Sequence, residues 1–226
     1  MPTVLVTSSS RGLGREFVRQ YAADGWQVLA ACRHPETAAD DLRRFGGGVR
    51  PIAMDVTDIA SVEAVAREGT GPLDLLLNTA GIIGQLDDAP GAVSYAEWTR
   101  TLDVNVLGPV RVLDAFADRL AAAHGTAITV TSGMGSIGGI TSPGSMMYRS
   151  SKAAVNMAMA ARALALRPRD ITVAVINPGW VRTDMGGPGG PLSPEESVAA
   201  MRGVIAGLTP QDTGRFLNWT GADLPW

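Results

Sequence analysis

The sequence predicts an α/β fold, a doubly wound parallel β-sheet with helices on both faces. Three observations predict it: short β-branched and aliphatic runs alternate with longer amphipathic stretches, the chain is long and apolar enough for one large core, and Gly/Pro/Ser-rich loops follow predicted strands. With 226 residues, 46% hydrophobic and 18% charged, residues 1–226 fit one domain able to bury roughly three quarters of its extended surface. The alternation implies parallel pairing, because parallel neighbours need long right-handed crossovers.

In chain order, the buried strands are expected at Val4 to Val6, Gln27 to Ala30, Pro51 to Ala53, Leu73 to Leu77, Ala127 to Val130 and Thr172 to Ile176. Helical patterns lie between and after them at Gly14 to Asp24, Thr37 to Phe45, Ile59 to Arg67, Tyr95 to Ala123, Met147 to Arg167 and Pro194 to Gly207. Two irregular stretches, Ser136 to Met146 and Trp180 to Ser193, each follow a predicted strand, where an open α/β sheet binds its ligands. Each taken alone is equally a solvated connection.

The formal net charge of -3 and a pI near 5.4 give no basic field, so nucleic-acid binding has no support. Cys32 has no disulfide partner in the sequence, and His34 and His124 lack metal-ligand spacing, so no metal site is expected. The start Met1-Pro2-Thr3-Val4-Leu5-Val6-Thr7 reads as a strand without a basic leader, and charge, Gly or Pro interrupts every apolar stretch. These features place the protein in the cytoplasm, off the membrane.

The first strand runs into Thr7-Ser8-Ser9-Ser10-Arg11-Gly12-Leu13-Gly14, and a helix follows. That context suits a pyrophosphate, since backbone N–H groups approach it closely and a helix N-terminus attracts negative charge. An ordinary βα turn reads the same way. Ser8 stands where the first customary glycine would be, so the turn must avoid positive φ there or accept strain. The second strand ends Ala31-Cys32-Arg33-His34, with no carboxylate where an NAD-selective site places one. Arg33 and Arg11 are planar cations suited to a ribose phosphate, although each singly is equally a solvated charge. NADP(H) is therefore expected over NAD(H). Asp55-Val56 and Asn78-Thr79-Ala80-Gly81 close the third and fourth strands, with Asp55 suited to an adenine amino group and Gly81 to close backbone approach. An Asx turn and a strand-end glycine explain them as well.

Tyr148-Arg149-Ser150-Ser151-Lys152 opens a predicted helix, and a spacing of four puts phenol and ammonium on one face. A nearby cation lowers a tyrosine pKa toward neutrality and makes a proton donor and acceptor. A surface pair of no consequence has the same spacing. Met134, Met146, Met147, Trp180 and Met185 fall in the two loops and read as an apolar pocket or as core. The glycines at 186, 187, 189 and 190 suit a flexible lid at about 180–195.

The ordered set T-S-S-S-R-G-L-G, N-T-A-G, Asn105 in N-V-L-G-P, Ser132, Y-R-S-S-K and N-P-G-W-V-R-T-D-M-G-G resembles the short-chain dehydrogenases/reductases over essentially the whole chain. It is similar in particular to sniffer and C-factor-like carbonyl reductases, through G-S-I after the serine, the long Ser132-to-Tyr148 spacing and the ending F-L-N-W-T-G-A-D-L-P-W. The resemblance implies a Rossmann-type sheet of about seven strands and reduction of an aldehyde or ketone, or oxidation of the alcohol, by hydride transfer. It implies Tyr148 as proton donor, Lys152 lowering its pKa and holding the nicotinamide ribose, Ser132 on the substrate oxygen, and Asn105 holding a water for proton resupply. Ser136 is a rival to Ser132, which is favoured for directly following the strand. Cofactor contacts are expected at Thr7, Ser8, Ser10, Arg11, Gly12, Leu13, Gly14, Arg33, Asp55, Val56, Asn78, Ala80, Gly81, Tyr148, Lys152, Pro178, Gly179, Val181 and Thr183. The partner is a small-molecule carbonyl or alcohol. The alanines 153, 154, 158, 160 and 161 fit either a subunit contact in a homodimer or homotetramer or packing within the chain. A C-factor-type signalling or interaction protein that binds cofactor with little or no turnover is the alternative reading.

Overall fold

Seven strands line up as β3-β2-β1-β4-β5-β6-β7, and every neighbouring pair is parallel. They are β1 (Thr3–Val6), β2 (Gln27–Cys32), β3 (Val49–Ala53), β4 (Leu75–Asn78), β5 (Thr126–Val130), β6 (Thr172–Asn177) and β7 (Phe216–Asn218). The computed structural model that shows this describes residues 1–86, 89 and 91–226. Helices α1 (Gly12–Ala23), α2 (Pro35–Arg43), α3 (Ile59–Glu68), α4 (Tyr95–Leu102), α5 (Gly108–Ala121), α6 (Met146–Leu166) and α7 (Pro194–Ala206) make the crossovers.

Side chains alternate across each strand, and the alternation divides the core into two layers. Val4 and Val6 face Phe17, Val18, Leu42, Val198 and Met201 from α1, α2 and α7. Leu5 faces the other way, into the layer with Val62, Val112, Phe116, Val155 and Met159 from α3, α5 and α6. All four residues of β4 are buried, as expected of a parallel strand covered on both faces. Strand order reverses between β1 and β4, so the carboxyl ends of these two strands open the crevice where such sheets hold ligands.

Beyond shifts of a residue or two at element ends, three features differ from the sequence expectation. Leu73 is buried but lies outside β4; Asp74 between them spends its carboxylate on the Thr3 N–H, 2.7 Å away. The stretch Tyr95 to Ala123 is two helices joined by a π-turn at Asp103–Leu107. Pro109 has no N–H for the Asn105 carbonyl, its α-helical partner, and the turn widens, with Gly108 N–H reaching Asp103 O. The third difference is β7, a three-residue strand whose chain then folds back on itself. Leu217 bridges Asp223 antiparallel, Leu224 N–H donates to Phe216 O at 2.8 Å, and the Trp226 ring lies 5.4 Å from that of Phe216. Among the described residues, no helix is long and apolar enough to cross a membrane.

Candidate active site

The turn after β1 is built around close backbone contacts. Ser8 takes φ +52 and Gly12 φ +54, so Ser8 accepts the left-handed conformation that glycine adopts more easily. A Cβ on Gly14 would collide with the Ser8 carbonyl and stand 2.8 Å from Thr79 Oγ1. Ser9 fastens the turn to β2, its N–H and Oγ both donating to Ala31 O at 3.0 Å. Next to it Cys32 is buried, and burial pushes its thiol pKa up.

Thr7, Asn78 and Val181, all expected to touch a cofactor, are themselves buried. Thr7 is buried, and its hydroxyl accepts from Thr79 N–H (2.9 Å) and Ala80 N–H (3.1 Å), tying β1 to the end of β4. Asn78 is buried too and donates to Pro109 O at 3.3 Å. The Val181 side chain is buried in a bridge with Leu192. Their side chains hold the walls.

The walls enclose a cleft of about 400 Å³. Ser8, Arg11, Gly12, Leu13 and Gly14 line one side, Gly81 to Gly84 the floor, and Val130, Thr131, Tyr148, Lys152, Pro178, Thr183 and Met185 the other side. A larger hollow of about 600 Å³ beside β3 and α3 contains none of the motif residues.

Tyr148 sits in the first turn of α6, and the Ser132 hydroxyl lies within hydrogen-bond reach of its phenol. Ser132 Oγ also accepts from Met134 N–H at 3.1 Å. Ser136 is elsewhere: its hydroxyl donates to Pro225 O at 2.5 Å and accepts from Gly139 N–H at 2.9 Å. Lys152 Nζ is 5.6 Å from the Tyr148 ring centre and donates to Val130 O at 3.2 Å. Sequence spacing predicts a cation that lowers the phenol pKa; here burial raises it, and only the Ser132 hydrogen bond opposes that. Burial lowers the Lys152 pKa to about 8. Both shifts have one cause, the cost of charge in a site with little water.

Asn105 comes from the π-turn and spends its amide completely. Its Nδ2 donates to Ile82 O (2.8 Å) and Ser151 Oγ (2.9 Å), and its Oδ1 accepts from Ile82 N–H at 2.8 Å. A Cβ on Gly81 would stand 3.4 Å from Asn105 Oδ1 and 3.5 Å from Lys152 Nζ, so a glycine lets the floor pass beneath both. Thr131, absent from the sequence reading, is buried at the cleft wall and its hydroxyl has no partner among the described residues. A hydroxyl one residue before the favoured serine was the available signal.

At the second strand, Arg33 is exposed. Burial works to raise the Asp55 pKa, but the Thr57 N–H (2.9 Å), the Thr57 hydroxyl (2.7 Å) and the charge of Arg33 hold it below the usual range. Arg11 pairs with Asp184 at 3.7 Å, both well exposed. The loop after Trp180 is braced internally despite its glycines. Trp180 Nε1 donates to Gly186 O (2.8 Å), Arg182 Nη1 to Gly190 O (2.9 Å) and Pro191 O (2.8 Å), and Arg182 N–H to Leu192 O (2.9 Å). Of the apolar set, Met185 lines the cleft, whereas Met147 is core.

The sequence model of the short chain dehydrogenase family matches residues 2–190. The chain is a short-chain dehydrogenase/reductase. It is 45% identical over 158 residues to the C-signal protein of Myxococcus xanthus, covering 70% of this chain and 95% of that one. It is 35% identical to 1-hydroxy-2-glutathionyl-2-methyl-3-butene dehydrogenase of Rhodococcus sp. strain AD45 over the whole of both chains. Among solved structures, the carbonyl reductase Sniffer of D. melanogaster superposes with TM-score 0.94 at 28% identity, and the NADPH-bound carbonyl reductase from chicken fatty liver with 0.92 at 30%. Each covers all of this chain, and the matches cover 100% and 99% of the respective structures. This short-chain dehydrogenase/reductase is thus an oxidoreductase of carbonyl-reductase-like fold.

Proposed function

We propose that the chain reduces an aldehyde or ketone to an alcohol with NADPH, and that Asn105, Ser132, Tyr148 and Lys152 are its reaction centre. The observation that carries the reading is the arrangement of Tyr148, beside Ser132 and above Lys152, on the cleft wall facing the glycine turn. The residues present fit a dinucleotide: the Ser8–Gly14 turn packs so closely against itself and Thr79 that Gly14 has no room for a Cβ, which leaves backbone to line its side of the cleft, and the buried Thr131 hydroxyl is unpartnered on the opposite wall. Bound there, NADPH supplies a hydride to the carbonyl carbon.

Tyr148 gives its proton to the carbonyl oxygen; a raised pKa keeps that proton in place at neutral pH. Ser132 donates a hydrogen bond to the same oxygen and stabilises the charge developing on it. Lys152 would hold the ribose hydroxyls. The Asn105 carbonyl, deprived of its helical donor by Pro109, holds a water between Lys152 and solvent, so Tyr148 is reprotonated after each turnover. Ser8, Ser10, Arg11, Gly12, Leu13 and Gly14 would cradle the pyrophosphate, with Asp55, Val56, Ala80 and Gly81 along the adenosine half. Pro178, Gly179 and Thr183 would line the nicotinamide, with Val181 contributing its main chain. Thr7 and Asn78 shape the walls. NADPH over NADH follows from exposed Arg33 and Arg11, with no acidic residue at the end of β2, and the NADPH-bound relative supports it.

The test follows cofactor absorbance with NADPH, then NADH, across a panel of aldehydes, ketones and quinones. Turnover that prefers NADPH and falls at least 1,000-fold in Tyr148→Phe is expected, within the range of general-acid effects. Cofactor binding without turnover on the whole panel would sink the reading and leave the interaction-protein alternative standing.

A further inference from the structure

The hairpin after β7 is tied at three points to the loop that starts at Ser132. Asn218 Oδ1 accepts from Asn177 Nδ2 at 2.9 Å, and Asn177 Oδ1 accepts from Gly133 N–H at 2.9 Å. Ser136 Oγ donates to Pro225 O at 2.5 Å. Gly138 N–H donates to Trp226 O at 2.8 Å. Within the loop, Gly139 N–H donates to Ser136 Oγ (2.9 Å), Ser136 N–H to Gly133 O (3.1 Å) and Gly135 N–H to Ser132 O (2.9 Å). These bonds form a continuous path from the hairpin to Ser132.

The other side of the loop rests on the reaction helix. A Cβ on Gly135 would stand 2.8 Å from the Lys152 carbonyl carbon and 2.9 Å from Lys152 Cβ. The loop is therefore a wedge between the hairpin and the backbone of Lys152. Little apolar burial holds it there, since Ile137 is 74% and Ile140 57% exposed, and glycine at 133, 135, 138 and 139 gives the chain little stiffness of its own. Its shape is held by the hydrogen bonds to the hairpin and by one from the reaction helix, Asn156 Nδ2 donating to Gly135 O at 3.4 Å.

We propose that residues 216–226 position the substrate side of the reaction centre, with Ser136, Asn177 and the Pro225-Trp226 backbone as positioning residues that set Ser132 against Tyr148. The inference deepens the proposed reduction and rests on that reading of Ser132 and Tyr148. It also gives Ser136 a use: the hydroxyl that competes with Ser132 in the sequence is the clamp that holds the loop. A displacement of about 1 Å at a reacting group can cost 100-fold in rate, so the loss should fall on the carbonyl step and spare the glycine turn.

The test compares the parent with Ser136→Ala, with a chain lacking Pro225 and Trp226, and with both changes together. Ser136→Ala removes one hydroxyl and keeps the fold measurable if the shortened chain does not fold. Amide hydrogen exchange is read on peptides covering 132–139 and 7–14, NADPH affinity by nicotinamide fluorescence, and kcat/KM on the best carbonyl of the panel. We expect exchange at 132–139 to rise at least tenfold with 7–14 unchanged, NADPH affinity within twofold of the parent, and kcat/KM down 10- to 100-fold. The double change should cost no more than the worse single one, because both break one path. Unchanged exchange at 132–139 overturns the brace, as does a kcat/KM within twofold of the parent in Ser136→Ala or an equal loss of NADPH affinity. A parent that turns over no carbonyl defeats the proposed reduction instead, and the exchange measurement still decides whether the hairpin holds the loop.

Discussion

Across the cleft, the turn after β1 and the loop after β5 hold their shapes by different means. The turn relies on missing atoms, with Ser9 as its tie to β2: Gly14 leaves no room for a Cβ, and Ser8 and Gly12 sit at positive φ. The loop relies on added bonds, through Asn177, Ser136 and the hairpin beyond β7. A ligand with one fixed shape would suit the first solution, since there the backbone lines the cleft. The second leaves its wall adjustable, because each bond involves a side chain or a distant carbonyl that substitution can alter separately.

That contrast makes predictions of decreasing size. Ser132→Ala should lower kcat/KM by about 100- to 1,000-fold, the range for one lost oxyanion donor, while NADPH affinity stays within twofold; steady-state kinetics and fluorescence titration check both. Gly14→Ala should do the reverse, destabilising the fold by about 2–3 kcal/mol as an overpacked site does and weakening NADPH tenfold or more. Gly47, with open space around its Cβ position, supplies the control, and Gly47→Ala should leave urea unfolding unchanged. If Gly14→Ala is neutral, the turn does not depend on close contact.

Lys152→Met tests the wall the two halves share. The folded-state pKa of about 8 lies below the ordinary 10.5, so between those values the unfolded chain keeps a proton the folded one has released. Stability contributed by this group therefore rises with pH across that window, and below it the full cost of a buried charge is present. Lys152→Met should abolish turnover yet stabilise the fold by about 1–3 kcal/mol at pH 7, with the gain vanishing near pH 10.5; denaturant titrations at the two pH values read it. The smallest effect is Ser8→Gly, which should relieve the left-handed serine and raise stability by about 0.5 kcal/mol, measurable as a Tm increase with NADPH affinity retained.

Six strands and the motifs of the family were legible in the sequence because burial on both faces writes continuous apolar runs, and because a family keeps fixed residue types at fixed spacing. Strand β7 was not. Three residues carry no period, and it forms because β6 offers an edge. The break in Tyr95 to Ala123 had a signal in Pro109, which a pattern reading overrides when apolar spacing continues across it. The bonds that Thr7 and Asn78 make within the chain were not legible, because strand-end polar residues look alike until their hydrogen-bond partners are known. Ionisation was the least legible: spacing gives the direction from Tyr148 to Lys152, but the burial that raises one pKa and lowers the other belongs to the assembled layers.

Cys32 is the single cysteine of the chain, buried at the end of β2 with its thiolate disfavoured. The protein therefore carries a reporter at the carboxyl end of β2. A thiol reagent in excess should label it only when that end opens, so the labelling rate counts local opening events. Saturating dinucleotide should slow that rate without any engineered label.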